Sequence, residues 1–372
     1  MEEQTQILRI KVLGVGGGGS NAVNRMISMG IEGVDFAVMN TDIQALSISP
    51  VAERIQIGEK LTRGYGAGSD PENGRLAAEE SALAIAECLG GYDLVFIVAG
   101  FGGGTGTGAV PVIARIAKDM NIMTIGIITK PFNFEGEKRY SKSKKGLAVL
   151  GEYIDTVIII PNDRLLEFVD QETSLDSAFS LTDDILGNGI KSISSLLLKP
   201  GMINLEFADV KTILAEKGGT LLGYGEAEGA NKEVDAIEAA LKSPLIEKNG
   251  IVGARGILIN FMGGKDLALK GINSAVGLIS ELVHKEANII FGVSVDESLS
   301  EKVQVTLLAA GLDLSYDVEY YEEDKKIVDG KEEPEQTVIN FKTSERGQFA
   351  KMDATIVNGE DFDIPTFLRR KK

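Results

Sequence analysis

Three features of the chain predict an α/β fold built on a doubly wound parallel sheet. First, the apolar run before KVLGVGGGGSN, from Lys11 to Asn21, leads into glycines and then a helical pattern. That is the strand–loop–helix order of a phosphate-binding unit. Second, the runs DLVFIVA, MTIGIIT and DTVIIIP are too continuously apolar for half-exposed strands and suit a sheet covered on both faces. Third, segments with apolar residues at helical spacing lie between the runs, so strand and helix alternate over roughly residues 7–173.

Taken in order, IKVLGV reads as the first strand. Ala22, Val23, Met26 and Ile27 mark the helix after it, with Gly30 placed to cap it. VDFAVMN is a second strand. DPENGRLAAEESALAIAECLGG reads as one helix, with Asp70 as N-cap, Pro71 in its first turn and Gly90 as its stop. DLVFIVA, the helix AVPVIARIAKDMN, and the strands MTIGIIT and DTVIIIP complete the first domain. From Ser174 to Leu198, Leu175, Phe179, Ile185, Ile190, Ile193 and Leu197 keep helical spacing until KPG breaks it. A central helix over 174–199 would be roughly 36 Å long, enough to span one domain and reach a second.

Residues 200–315 read as a smaller α+β domain. Its strands are ARGILINFMGG, NIIFGVSV and VQVTLLAAGL, with helical segments around Val210–Glu216, Asn231–Lys242 and Leu267–Lys285. The ends differ in composition. Residues 1–6 are polar and read as flexible. Residues 316–358 read as an acidic linker, with a net charge of −6 between Ser315 and Glu335. TVINFK within it could form an isolated strand. Residues 359–372 end in DFDIPTFLRRKK, an apolar cluster followed by four cations.

Composition excludes several function classes. The 372-residue chain carries a net charge of −17, a poor match to nucleic acid or an anionic membrane surface. No apolar run reaches the roughly 18 residues of a membrane span, and MEEQTQ is not a secretory leader, so a cytoplasmic protein is expected. A single cysteine, Cys88, excludes an internal disulfide framework, and the single histidine, His284, leaves no zinc cluster and no Ser/His/Asp arrangement.

Gly14, Gly16 and Gly19 spell G-x-G-x-x-G, and Asp42 follows 23 positions past Gly19, near where a ribose-reading carboxylate belongs in a dinucleotide enzyme. A second loop, AGFGGGTGTGAV from Ala99 to Val110, argues against that reading. Its glycines free backbone N–H groups to surround an anion, ahead of another helix N-terminus, and Thr105 and Thr107 add hydroxyls. Two such loops on one sheet edge suit a triphosphate better than a pyrophosphate. The loop is not a P-loop, because Gly108 is followed by Ala109, Val110 and Pro111 rather than by lysine. Helix dipoles supply only about 0.3–1 kcal/mol each at exposed sites. A metal ion, Mg2+ foremost, is therefore expected with the nucleotide, and a monovalent cation is a further candidate.

GGGTGTG resembles the tubulin-family signature. The ordered set GVGGGGSNAVNRM, NTD, GAGSDPE, GFGGGTGTGA, TKPFNFEG, IPNDRLL and FADVKT is similar to the FtsZ family of tubulin-like division GTPases. The resemblance runs from about residue 8 to 315 and resumes at the C-terminal peptide. It implies a tubulin-like fold: a Rossmann-like GTPase domain, a long central helix, a smaller α+β C-terminal domain and a disordered tail. It implies GTP/GDP as ligand and head-to-tail assembly of the chain with itself at the division site. It also implies that membrane-anchoring partners such as FtsA dock on residues 363–372, with no insertion into the membrane itself.

By resemblance, Gly17, Gly18, Gly19, Ser20 and Asn21 form the first nucleotide loop, and Gly104, Thr105 and Gly106 cradle phosphates. Ala67 and Gly68 approach the terminal phosphate. Glu135 and Arg139 match ribose and phosphate contacts, although their i, i+4 spacing also suits a plain surface ion pair. Asn162 matches a sugar or base contact. Phe179 matches the residue stacked on guanine, and Asp183 the one that reads its two donors; a carboxylate there would repel adenine. The loop at 204–209 is implied to act in the next subunit's site, where Asn204 and Asp209 orient the attacking water. Glu206 stands where the family usually has Asp. The added methylene puts the full hydrolysis rate in doubt, since a shift near 1 Å costs roughly 100-fold. A tubulin-like polymer with impaired hydrolysis is therefore the alternative reading.

Overall fold

Five segments rich in apolar residues form the core of a parallel sheet, because apolar side chains on both faces can be covered only by helices on both sides, and a short polar strand, ERIQ, adds to its edge. The computed structural model describes residues 8–167, 173–198, 201–203, 205–216, 218–246, 250–299 and 301–312, and two short strands at 356–357 and 360–361. The chain divides into two units, Met1–Glu319 and Tyr320–Lys372.

In the first unit the elements run β1 (Ile10–Val15), α1 (Gly16–Ser28), β2 (Val34–Asn40), α2 (Ile43–Ser47), β3 (Glu53–Gln56), α3 (Glu59–Thr62), α4 (Pro71–Glu80) and α5 (Ala82–Leu89). Then follow β4 (Leu94–Gly100), α6 (Thr105–Asp119), β5 (Met123–Lys130), α7 (Glu137–Leu150), β6 (Thr156–Pro161) and the long α8 (Leu175–Leu198). The second half holds α9 (Phe207–Leu214), β7 (Gly219–Glu228), α10 (Lys232–Leu241), β8 (Gly256–Gly263), α11 (Leu269–Leu282), β9 (Asn288–Val295) and β10 (Lys302–Leu312).

The strands form one ten-stranded sheet in the order β3-β2-β1-β4-β5-β6-β7-β10-β8-β9. The first six are parallel and follow the doubly wound order 3-2-1-4-5-6. A single parallel pair, Ile158 with Thr220, joins β6 to β7. Beyond it β10 lies antiparallel to both β7 and β8, and β9 is parallel to β8. Helix α8 ties the halves together. Its Leu186, Ile190, Ile193 and Leu196 share one core with Val38 and Ile160 on one side and Leu222, Leu258 and Leu308 on the other. The opposite face of the parallel strands is closed by α4, α5 and α6, and the second half has its own core around Phe261.

Several expectations are modified. The first glycine run is not a free loop: Gly16, at φ +71°, turns the chain, and the remaining glycines already lie in α1. The helix expected from Asp70 to Gly90 is broken at Ser81, whose hydroxyl accepts from the Gly58 N–H at 2.9 Å. Asp70 does cap it, accepting from Glu72 N–H at 3.1 Å. Helix α7 and strands β3 and β7 are additional to the sequence reading. Strand β6 alternates, with Thr156, Ile158 and Ile160 buried and Val157 and Ile159 half-buried, where a fully covered strand was expected. Residues 1–6, TVINFK and 363–372 lie outside the described residues. In the second unit, β11 (Ile356–Val357) pairs antiparallel with β12 (Glu360–Asp361).

One buried charge went unread in the sequence. Lys11, 1% exposed near the start of β1, donates to Glu53 and to the Cys88 carbonyl, both at 2.7 Å, and lies 4.4 Å from the centre of the Tyr92 ring. Burial alone would depress its pKa; the Glu53 hydrogen bond and nearby charge outweigh it and leave the pKa raised. The Cys88 thiol is pushed up to about 12 by burial, so it is inert core. His284 accepts from the Glu286 N–H at 3.2 Å, a local turn contact.

Candidate functional site

The carboxyl ends of β2, β1, β4, β5 and β6 align along one edge: Val15 sits beside Met39 and Ala99, Ala99 beside Ile128, and Lys130 beside Pro161. The winding reverses between β1 and β4, which is where doubly wound sheets open a crevice. Both glycine segments emerge there and touch. A Cβ on Gly16 would lie 3.0 Å from the Gly106 amide, one on Gly19 2.0 Å from the Val98 carbonyl, and one on Gly106 2.6 Å from the Gly100 carbonyl. Those glycines let α1 and α6 close on the sheet. Gly17 and Gly103 are different. A Cβ there meets only open space and neither has positive φ, so the protein's own packing gives no reason for glycine at either position.

Helices α1 and α6 start without any side-chain cap, behind Val15 and Gly104. Their first N–H groups and positive dipole ends face the crevice, the arrangement that binds phosphate. The Ser20 hydroxyl is buried, 3% exposed, and has no hydrogen-bond partner. Buried hydroxyls rarely go unsatisfied, which makes Ser20, at the mouth of the crevice, a candidate to meet a ligand atom. Asn21 is exposed beside it. Thr105 shares a hydrogen bond of 2.7 Å with Thr41, a partner the sequence reading missed. Thr107 does not add a donor to the crevice: it is 3% exposed and its hydroxyl accepts from the Gly102 N–H at 2.9 Å. Asp42 is likewise not a ribose reader, because it caps α2, accepting from Gln44 and Ala45 N–H at 2.8 and 3.3 Å.

Ala67 and Gly68 close the crevice from the α4 side. A Cβ on Gly104 would lie 2.8 Å from that of Ala67, and the backbone of Gly68, at φ +62°, faces open space. On the other side, Glu135 accepts from the Phe132 N–H at 3.0 Å and pairs with Arg139. The ion pair is real, and it spans a 3₁₀ turn and the start of α7 rather than one helix face. Asn162, 7% exposed, directly follows β6. Phe179 on α8 meets Phe132 edge-on at 5.7 Å, and Phe132 stacks on Phe134 at 4.8 Å. One turn on, Asp183 takes Arg25 of α1 at 3.2 Å, and Arg25 also reaches the Ser180 hydroxyl. Arg25 had no motif to announce it; only the packing of α1 on α8 brings it there.

The loop at 204–209 is not part of this crevice. Helix α8 has 24 residues, about 36 Å of rise. It begins against Phe132 at the carboxyl edge, and its last residue, Leu198, packs on Gly33, which precedes β2 at the amino edge. Glu206 and Asp209 follow at that far end, where Asp209 accepts from the Glu206 N–H at 3.1 Å at the start of α9. Asn204 lies outside the described residues. Among those residues no group of three or more His, Cys, Asp or Glu is arranged to hold a metal ion.

The chain and its fold match known proteins. Residues 9–170 match the Tubulin/FtsZ family GTPase domain, and residues 218–313 the FtsZ family C-terminal domain. An FtsZ dimer from M. jannaschii, empty of ligand, is 40% identical, with a TM-score of 0.76 over 82% of this chain and 89% of that one. A point mutant of FtsZ from the same organism gives a TM-score of 0.77, also at 40% identity, over 83% and 92%. Two Haloferax volcanii proteins share the fold: GDP-bound CetZ1 (20% identity, TM-score 0.73, 82% and 95%) and a CetZ2 protofilament with GTPγS (21%, 0.70, 82% and 94%).

Proposed function

The chain belongs to the FtsZ family of tubulin-like GTPases, and from that premise we propose that it is a cell-division protein that assembles head to tail into the filaments of the cytokinetic ring. GTP binds in the crevice at the sheet edge. The amides of Gly17–Asn21 and Gly104–Gly106 hold its phosphates, the Ser20 hydroxyl meets a phosphate oxygen, and Ala67 and Gly68 lie at the terminal phosphate. Glu135, Arg139 and Asn162 take the ribose side. The base stacks on Phe179, and Asp183, braced by Arg25, accepts from the two guanine donors. The residues present fit the nucleotide: an orphaned hydroxyl, two glycines facing open space and two uncapped helix ends. Mg2+ would arrive on the phosphates, as it does where a protein offers no cage of its own, and a monovalent cation could assist at the same place.

Hydrolysis occurs at the junction of two subunits. The observation that carries this reading is the separation of the glycine loops from Glu206 and Asp209 by the length of α8, which one chain cannot bridge. Head-to-tail stacking brings the next subunit's 204–209 loop to the phosphates. A heterologous contact of this kind propagates as a filament. There Asp209, with Asn204 and Glu206, orients the attacking water; positioning and charge are what phosphoryl transfer needs. The filament works in the cytoplasm at the division site. The tail at 363–372 presents Ile364, Phe367 and Leu368 at i, i+3, i+4 spacing to membrane-anchoring division proteins such as FtsA.

The test is Asp209→Ala. Bound GTP should be retained, as titrated with a fluorescent analogue, while phosphate release falls about 10²–10⁴-fold and filaments persist. Loss of GTP binding in that variant would remove the division of labour between the two ends.

A further inference from the structure

Strand β6 carries an uncovered face. Parallel strands are normally covered on both sides, yet Val157 and Ile159 are only half-buried toward α7. They floor, with Leu147 and Ile154, a trough of about 730 Å³ between α7, β6 and the turn that leads into β7. Lys144, midway along α7, and Lys118, which donates to the Glu152 carbonyl at 2.8 Å, line its wall, and Lys130 stands beside Pro161 at the carboxyl end of β6. Of the acids in the wall, Asp155 is occupied by the Thr124 N–H and hydroxyl at 2.7 and 3.1 Å, and Glu152 and Glu216 lie toward the amino end. The buried Ser143 hydroxyl in the same wall has no hydrogen-bond partner.

The described part of the first unit ends beside this trough. Leu312 pairs with Gly219, and a Cβ on Gly218, itself a lining residue, would lie 2.4 Å from the Leu312 carbonyl. The chain then continues as DLSYDVEYY, residues 313–321. Leu314, Tyr316, Val318 and Tyr320 alternate with Asp313, Ser315, Asp317 and Glu319. That is the period-2 pattern of a strand with one apolar and one acidic face. Seven extended residues reach about 23 Å, against about 20 Å for the six residues of β6.

The geometry points to residues 313–319 of this same chain as the occupant of the trough. Leaving Leu312 at the Gly218 end and running along β6, the segment lays Leu314, Tyr316 and Val318 on the half-buried floor. Asp313 then leaves the Gly218 end on the side of Lys118, and Asp317 and Glu319 run past Lys144 of α7. A carbonyl of the extended backbone gives the Ser143 hydroxyl its acceptor. The segment thus bridges α7 of the nucleotide half to the turn after α9, whose other end carries Asp209. The inference does not depend on what the crevice binds.

Hydrogen exchange on the full-length chain, read by mass spectrometry, tests it. Amides of 314–319 should exchange at least about tenfold more slowly than those of 325–345, equally at all protein concentrations. Lys144→Glu with Lys118→Glu should abolish that protection, as should Tyr316→Ser with Val318→Ser; circular dichroism would report an unchanged fold. Exchange at 314–319 as fast as in 325–345 overturns the proposal. So does protection that survives both pairs of substitutions. Protection that disappears on dilution would assign the trough to a second copy of the chain and overturn it too.

Discussion

At the scale of single residues, the buried Ser20 hydroxyl is the most informative atom, because it is unsatisfied where the sheet opens. Ser20→Ala removes a group that the ligand-free protein does not use. Unfolding free energy without nucleotide should therefore hold or rise slightly, while the Kd for GTP increases about five- to tenfold, the worth of one hydrogen bond. Equal affinity in the two proteins would take Ser20 out of the site. Glu206 offers a second prediction. It occupies the N-cap position of α9, exposed, where Asp is the better cap and one methylene shorter. Glu206→Asp should raise GTP turnover if the longer carboxylate misplaces the water; no gain would mean that Glu206 already serves. The glycines, Ser20, Phe179 and Asp183 could be named as candidates from the sequence because their residue types match a motif at fixed spacing. Arg25 and Thr41 were not, since nothing in the sequence ties them to Asp183 and Thr105; two helices and two strands had to pack first.

At the scale of elements, the buried strands and α8 were legible because they bury continuous or 3.6-spaced apolar stripes. Helix α7 was not: EKRYSKSKKGLAVL is mostly polar, and only Ser143, Gly146 and Leu150 are buried. Strand β7 was hidden by its glycines, which usually weaken strands. Here they are required by α10, because a Cβ on Gly225 would lie 2.2 Å from the Ala236 carbonyl and 2.3 Å from the Ala240 amide. Those are backbone atoms and cannot swing aside. Gly225→Ala should therefore lower stability by about 1–3 kcal/mol, the usual cost of overpacking, seen as an earlier midpoint in urea. Gly17→Ala, which meets open space, should leave that midpoint in place and weaken GTP binding. The break at Ser81 was illegible for another reason: the Gly58 amide that its hydroxyl accepts lies 23 residues away.

At the scale of the whole molecule, the two halves share one sheet and one central helix, yet the glycine-lined crevice and Glu206 and Asp209 stand at opposite ends of that helix. Sequence order placed both motifs correctly along the chain but carried no information on their distance; that emerges only when α8 is laid across the sheet from Phe132 to Gly33. The family relationship supplies the GTPase, and the separation supplies the reason it should work as a polymer. The most direct test is GTP hydrolysis measured against protein concentration, with pelleting on the same samples. A shared threshold, below which phosphate release and pelleted protein both vanish, is the expected result for a site completed by the next subunit. Phosphate release proportional to concentration down to the lowest dilution, with nothing in the pellet, would contradict it and place the whole reaction within a single chain.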